Sequence, residues 1–407
     1  MPKLCTDLGY VSLNKYGEQL CGDHVEIAHS SQSEYSRIFG EPAESADSIV
    51  MVLADGLGSG VKASILSTLT ARIISTMMAS SLTVEDCVST IAATLPVRVE
   101  IGIAYSTFTI IKIKAGQEAE IIQYDNPWVI FLRDGKSLDY PVIAETIDGK
   151  TIYKSRIALR EGDTFVAVSD GAINAGMGPE LNLDWERDDV ASFLESIYDP
   201  HWTAKTLSAM LINKCHSLYG GKPGDDTTVC TVKIRARRQV NMLIGPPRDP
   251  NDLSKMMSLF FSKEGRHIIS GGTTSTLAAE FLKRVLVTDL PPSISDPGIP
   301  PVAKIEGVDL VTEGIITLRK VAEYAADYVK DNENYADWNS GDDGASMIAR
   351  FLFEEATDIN FFVGRAVNAA HENEQNAQIA FSLKMRLIEE LAKSLEAMGK
   401  RIKLSYF

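Results

Sequence analysis

The alternation of apolar and polar positions along the chain is organised around Ile49 to Ser81. Ile49-Val50-Met51-Val52-Leu53-Ala54 is an unbroken apolar run, and Asp55-Gly56-Leu57-Gly58-Ser59-Gly60 follows it. A short run rich in β-branched residues and closed by glycines predicts a buried strand. Beyond it, Ile65, Leu66, Leu69, Ile73 and Met77 recur at spacings of three and four, which predicts a helix burying that face. Asp55 therefore stands where a strand gives way to a glycine-rich turn, and the glycines are expected to leave room beside it for a ligand. An isolated Asp-Gly is more often an ordinary turn, so the remainder of the chain has to decide.

The same alternation predicts strands at Tyr10–Leu13, Cys21–Ile27, Tyr105–Lys114, Ala119–Tyr124, Trp128–Leu132, Ile152–Leu159, Thr164–Val168 and Thr227–Ile234. Helices are predicted at Thr83–Leu95, opened by a capping-box pattern, and at Trp202–Leu218. The stretch from His29 to Asp47 reads as a polar loop. Many short strands interrupted by a few helices describe a mostly antiparallel, layered α+β domain over residues 1–238. Arg235-Ala236-Arg237-Arg238 closes it and reads as a solvated linker.

From Val240 strands and helices alternate with short connections, which predicts an α/β domain with a mainly parallel sheet over residues 239–407. Its strands are expected at Met242–Ile244, His267–Ile269, Val285–Val287, Val308–Val311, Ile359–Val363 and Ile402–Leu404. Helices are expected at Asp252–Glu264, after Gly271 to Arg284, at Leu318–Val329, Ala345–Glu354 and Ala380–Met398, and a proline-rich loop at Leu290–Pro301.

Composition narrows the function classes. The chain has 407 residues, room for two domains, and a formal charge of −15. That charge argues against nucleic acid or an anionic membrane as partner, and any site for a phosphate needs a cation beside it. No run approaches a membrane span of ~20 apolar residues, and no signal-peptide core is seen at the start. The five cysteines, Cys5, Cys21, Cys87, Cys215 and Cys230, are scattered, so a cytoplasmic location is expected.

The chemistry concentrates in the first domain. Asp23, Asp55, Asp170 and Asp225 stand at or beside predicted strand ends, with Gly22, Gly56 and Gly171 flanking the first three. Each alone reads as a turn or cap residue. Gathered at one edge they would repel one another unless protonated or bound to a metal. Hard divalent cations favour such oxygen donors, and two of them sharing a carboxylate generate a nucleophilic hydroxide and clamp phosphate oxygens.

Gly22-Asp23, Ala54-Asp55-Gly56-Leu57-Gly58-Ser59-Gly60, Val168-Ser169-Asp170-Gly171 and Gly224-Asp225-Asp226-Thr227-Thr228 resemble the ordered motifs of the metal-dependent protein phosphatases. The likeness is strongest to the bacterial branch typified by the stage II sporulation protein E. Tyr124-Asp125-Asn126-Pro127 and Arg133-Asp134-Gly135 resemble its middle region, and the likeness covers roughly residues 6 to 235. It implies an α-β-β-α sandwich with two Mn²⁺ or Mg²⁺ ions at one edge. Asp55 would bridge the metals, Gly56 would supply its carbonyl, Asp170 and Asp225 would bind one metal, and Asp23 would support the other. The implied reaction is direct hydrolysis of phosphoserine or phosphothreonine in a phosphoprotein, of the anti-sigma antagonist kind, by a metal-activated water. One departure stands out: Lys15-Tyr16-Gly17-Glu18-Gln19 carries no arginine where eukaryotic members hold phosphate with one. The helix after Asp55 is expected to act as a regulatory lever.

In the second domain Gly271-Gly272-Thr273-Thr274 follows an apolar strand and opens a helix, so a small anionic ligand is expected there. A tight turn with threonine capping is the plain alternative. Glu306 to Gly314 would form a neighbouring loop, and Asn368 and His371 lie in a polar stretch. Three functions stay open: a bacterial signalling phosphatase whose C-terminal domain senses a small molecule, a degenerate phosphatase serving as scaffold, and a bifunctional chain whose second domain is a nucleotide or sugar-phosphate enzyme. A homodimer is compatible with each.

Overall fold

The structure, a computed structural model, describes residues 4–29, 48–94, 106–114, 117–176, 185–288, 298–330, 332, 335–366 and 374–407. The chain divides into two compact units, Met1–Ala236 and Arg237–Phe407. The loop expected from His29 to Asp47, apart from His29 itself, and Asn368, His371 and most of 290–301 lie outside the described residues.

The first unit is built from two antiparallel sheets. One runs in the order β1-β11-β10-β6-β7 and the other β2-β3-β4-β5-β9-β8. These strands are β1 (Leu4–Leu13), β2 (Asp23–His29), β3 (Ser48–Asp55), β4 (Thr107–Lys114), β5 (Glu118–Tyr124), β6 (Ile130–Arg133), β7 (Lys136–Leu138), β8 (Ile143–Ile147), β9 (Lys150–Ala158), β10 (Thr164–Val168) and β11 (Thr227–Ala236). Helices α1 (Gly60–Ala79) and α2 (Val84–Thr94) cover one outer face; α4 (Arg187–Ile197) and α5 (Ala204–Leu218) cover the other, after the short α3 (Asp170–Ile173).

The unbroken apolar run of β3 follows from this layering. Val50, Val52 and Ala54 pack with Ala71, Ile74 and Met78 of α1, while Met51 and Leu53 pack with Phe131, Phe165 and Val232 of the facing sheet. Both faces are buried, so both alternate sets are apolar. Each such side chain contributes about 1.5–3 kcal/mol, and Ile74→Ala, at a fully buried position, would cost about 2–5 kcal/mol. The box at the start of α2 closes with Asp86: its amide donates to the Thr83 hydroxyl and its carboxylate accepts from the Thr83 amide.

Three expectations are corrected here. Ile65 and Leu69 of α1 are 55% and 44% exposed, because the buried stripe consists of Ala63, Ser67, Thr70, Ala71, Ile74, Ser75 and Met78. Small side chains seat the helix backbone close to the sheet and turn the larger ones outward. The basic run at 235–238 spans the division between the units and leaves Arg238 exposed, but it is not solvated throughout. Arg235 is buried in β11 and pairs with Asp7 at 3.2 Å, and Arg237 pairs with Asp358 at 3.1 Å. Val285–Val287 is not a strand; Val287 makes only an isolated bridge to Lys304.

The second unit holds one sheet, order β14-β13-β12-β15-β16, with every neighbouring pair parallel. Its strands are β12 (Gln239–Ile244), β13 (Arg266–Ser270), β14 (Leu310–Thr312), β15 (Asp358–Val363) and β16 (Arg401–Tyr406). Helices α6 (Leu253–Phe261) and α7 (Gly272–Leu282) pack on one face. On the other lie α8 (Ile315–Lys330), α9 (Tyr335–Ser340), α10 (Gly344–Ala349) with the π-helical turn Arg350–Glu355 that continues it, and α11 (Glu374–Ala397). The chain winds outward from β12 in one direction and then, from β15, in the other. The switch point lies between β12 and β15.

Candidate metal centre

Antiparallel pairing brings the acidic residues to one edge. Asp23 opens β2, Asp55 closes β3, and the two are partners in register. On the facing sheet β10 and β11 pair through Val168 and Val229, and the Ser169 amide donates to the Thr228 carbonyl at 3.0 Å. That pairing sets Asp170, just after β10, beside Asp225 and Asp226, just before β11. Register within each sheet, with the packing of one sheet on the other, thus gathers carboxylates about 30 to 200 positions apart in the chain.

The glycines act differently from the expectation. A Cβ at Gly56 would overlap the backbone of Ala63, and one at Gly171 would overlap the carbonyl of Asp226. The space beside these carboxylates is filled by protein backbone: the glycines let α1 and the 225–227 turn close onto the strand ends.

The electrostatics are those of uncompensated negative charge. Burial pushes the Asp55 carboxyl up to about 9, with Asp23, Asp170 and Asp225 adding repulsion. Asp23 rises to about 6, through burial first and then Asp226 and Asp170. Asp170 is raised by burial and by Asp225. Both oxygens of Asp23 and Oδ2 of Asp226 are buried with no hydrogen-bond partner; the Ser169 and Thr228 hydroxyls lower the Asp23 pKa in part without reaching hydrogen-bond geometry. Orphaned buried carboxylate oxygens are costly, and a hard cation would satisfy them. The donor set fits such an ion. It is not closed around one: among the described residues no three Asp, Glu, His or Cys side chains form a ready-made cage.

Two participants escaped the sequence reading. Asp226 is buried, and its Oδ1 accepts from the Lys15 amide at 2.9 Å. The Lys15 ammonium stands 3.7 Å from Asp225, so the segment without arginine still brings a cation to the edge. A basic residue eight positions before Asp23 was the available signal.

A four-layer sandwich carrying an acidic edge defines the class as that of the metal-dependent protein phosphatases. Within it, residues 45–235 match the family described as Stage II sporulation protein E (SpoIIE), so this segment belongs to the SpoIIE-type branch of the PP2C serine/threonine phosphatase family, and an additional region with a parallel sheet follows it. Asp55, Asp170 and Asp225 fall inside the match and Asp23 outside it. No curated protein matches the chain.

Three solved structures illustrate the similarity. The phosphatase domain with a regulatory fragment of Bacillus subtilis SpoIIE is 17% identical, covering 58% of this chain and 64% of its own, at a TM-score of 0.46. The RsbU and RsbW domains of a Mycobacterium tuberculosis protein are 16% identical, covering 63% and 67%, at 0.42. The S. agalactiae serine/threonine phosphatase is 15% identical, covering 56% and 99%, at 0.39. The chain thus spans less than two thirds of the first. The fold assignment rests on sheet order and layering, not on these scores. No helix among the described residues is long and apolar enough to cross a membrane.

Proposed function

We propose that the first unit hydrolyses phosphoserine or phosphothreonine in a phosphoprotein, with Mn²⁺ or Mg²⁺ held at the acidic edge. The observation that carries this is the convergence of Asp23, Asp55, Asp170 and Asp225 from two sheets onto one edge, with orphaned oxygens on Asp23. Asp55, Asp170, Asp225 and the Gly56 carbonyl would hold the cations, with Asp23 supporting them. When bound, such ions polarise phosphate oxygens and lower the pKa of water. The chain's own residues supply the rest. Asp55 and Asp23 give up protons as a cation enters. Asp226 fixes the Lys15 backbone, and Lys15 offers its ammonium to the substrate phosphate at the rim. The presence of every motif carboxylate weighs against the scaffold reading.

The test is Asp55→Asn in the full chain. Mn²⁺-dependent hydrolysis of para-nitrophenyl phosphate should fall by more than the ~100-fold that losing an outer-shell partner costs, with the fold retained. Hydrolysis at the wild-type rate would remove Asp55 from the site.

A further inference from the structure

The C-terminal ends of the parallel strands in the second unit enclose a cavity of 310 Å³. Its wall at the switch point is unusual. Gly245 follows β12 at φ +79° and Gly364 follows β15, their backbones pack on each other, and the Lys384 ammonium of α11 lies against both. Lys384 donates to the Gly364 carbonyl at 2.8 Å. It is half-buried and has no carboxylate partner among the described residues. Burial pushes its pKa down to about 8. Across the cavity lies the first turn of α7, an eleven-residue helix whose N-cap, Gly271, provides no side-chain cap. Threonine capping is therefore absent, and the amides of Gly272, Thr273 and Thr274 are left without partners among the described residues, as expected of an uncapped helix start. Thr274, only 1% exposed, lines the cavity with a hydroxyl that makes no hydrogen bond among those residues.

Lys384 also lies over the Phe381 ring, 5.2 Å from its centroid, but neither that ring nor the Gly364 carbonyl neutralises its charge, and an anion suits such an ammonium in one cavity with a helix N-terminus. One acceptor group also lines the cavity. The Glu313 carboxylate lies 3.6 Å from where a Cβ on Gly272 would stand and is in no ion pair among the described residues. A second anionic oxygen would be repelled there, whereas a ligand hydroxyl would donate to it. Ile244, Ile316, Leu318 and Phe381 supply apolar wall for the body of the ligand. The volume is at the small end of ligand sites, which begin near roughly 300 Å³, and suits a small ligand.

We propose that this crevice binds a small monophosphorylated metabolite bearing hydroxyls, a sugar or nucleoside monophosphate. Its phosphate lies between Lys384 and the Thr273 and Thr274 side of the first turn of α7, away from Glu313, and a hydroxyl donates to Glu313 beside Gly272. The inference rests on the second unit alone and stands or falls independently of the phosphatase reading.

The test is calorimetric titration of the full chain with ribose 5-phosphate, AMP and inorganic phosphate. At least one organic phosphate should bind more tightly than inorganic phosphate. Lys384→Met should weaken it about tenfold or more, and Glu313→Gln should weaken the organic phosphate but not inorganic phosphate. Gly272→Val is the control against misfolding. A Cβ there meets nothing closer than Glu313, so the variant should keep the wild-type circular dichroism and melting temperature and yet lose binding. The proposal is overturned if none of the probes binds, if binding survives Lys384→Met and Gly272→Val unchanged, or if inorganic phosphate alone accounts for it.

Discussion

The two units present opposite electrostatic problems at their sheet edges. The first gathers carboxylates and buries them with oxygens unpaired, so its edge calls for cations. The second half-buries a lysine ammonium against glycine backbone in one crevice with an uncapped helix start, so that crevice calls for an anion. The origin of the charge also differs. In the sandwich, each acid sits on or next to a strand end, and pairing register brings it in. In the parallel unit the cation comes from the middle of a late helix, and only the reversal of winding between β12 and β15 delivers it. A site built by register is written at strand ends; a site built by topology is written nowhere in particular.

That contrast can be broken by titration. In the cation-free chain, Asp55 and Asp23 hold protons above the usual carboxylate range, up to about 9 and about 6. Between pH ~4 and those values the folded state binds protons that the unfolded state has released, so stability falls as pH rises. Lys384 works with the opposite sign. Its folded pKa of about 8 lies below the usual 10.5, so it penalises the ligand-free fold below pH 8, and the penalty fades as pH rises toward 10.5. Thermal unfolding in chelator should therefore show Asp55→Asn gaining on the wild type from pH 5 to 9. Lys384→Met should gain most at pH 7 and lose its advantage by pH 10. Parallel pH profiles for the two variants would show that one of the two charge environments is misassigned.

A smaller effect sharpens the rim of the acidic edge. Lys15 is 40% exposed where it faces Asp225, so its charge is screened and worth at most ~1 kcal/mol. Lys15→Ala should raise KM for a phosphoserine peptide a few-fold and leave kcat nearly unchanged; steady-state kinetics decide. A large fall in kcat instead would make Lys15 part of the reacting centre.

Much of this architecture was legible. Strand-end Asp-Gly pairs, apolar runs and the change of pattern near Val240 lead to the layered sandwich and the parallel sheet. The failures have physical causes. Periodicity assigned Ile65 and Leu69 of α1 to the core, but a helix seated tightly by Ala63, Ser67 and Ala71 turns its larger side chains outward. The segment 235–238 looked like linker because a buried arginine paired with Asp7 across β1 and β11 has the same letters as a solvated one. The glycines beside Asp55 and Asp170 were expected to admit a ligand, whereas they admit the backbone of Ala63 and Asp226. Gly271 to Thr274 announced a helix start and Glu306 to Gly314 a neighbouring loop, which holds Glu313 at the cavity, but Lys384, remote in sequence from both, carried no signal of its own.

The central claim is that the acidic edge is a divalent-cation centre. Anomalous scattering at the manganese edge from a crystal of the full chain soaked in Mn²⁺ tests it most directly. The account predicts two peaks, both within coordinating distance of Asp55, one of them shared with Asp170 and Asp225, and both missing from Asp55→Asn. A well-diffracting soaked crystal with no manganese beside Asp55, or with peaks that persist in the variant, would contradict it.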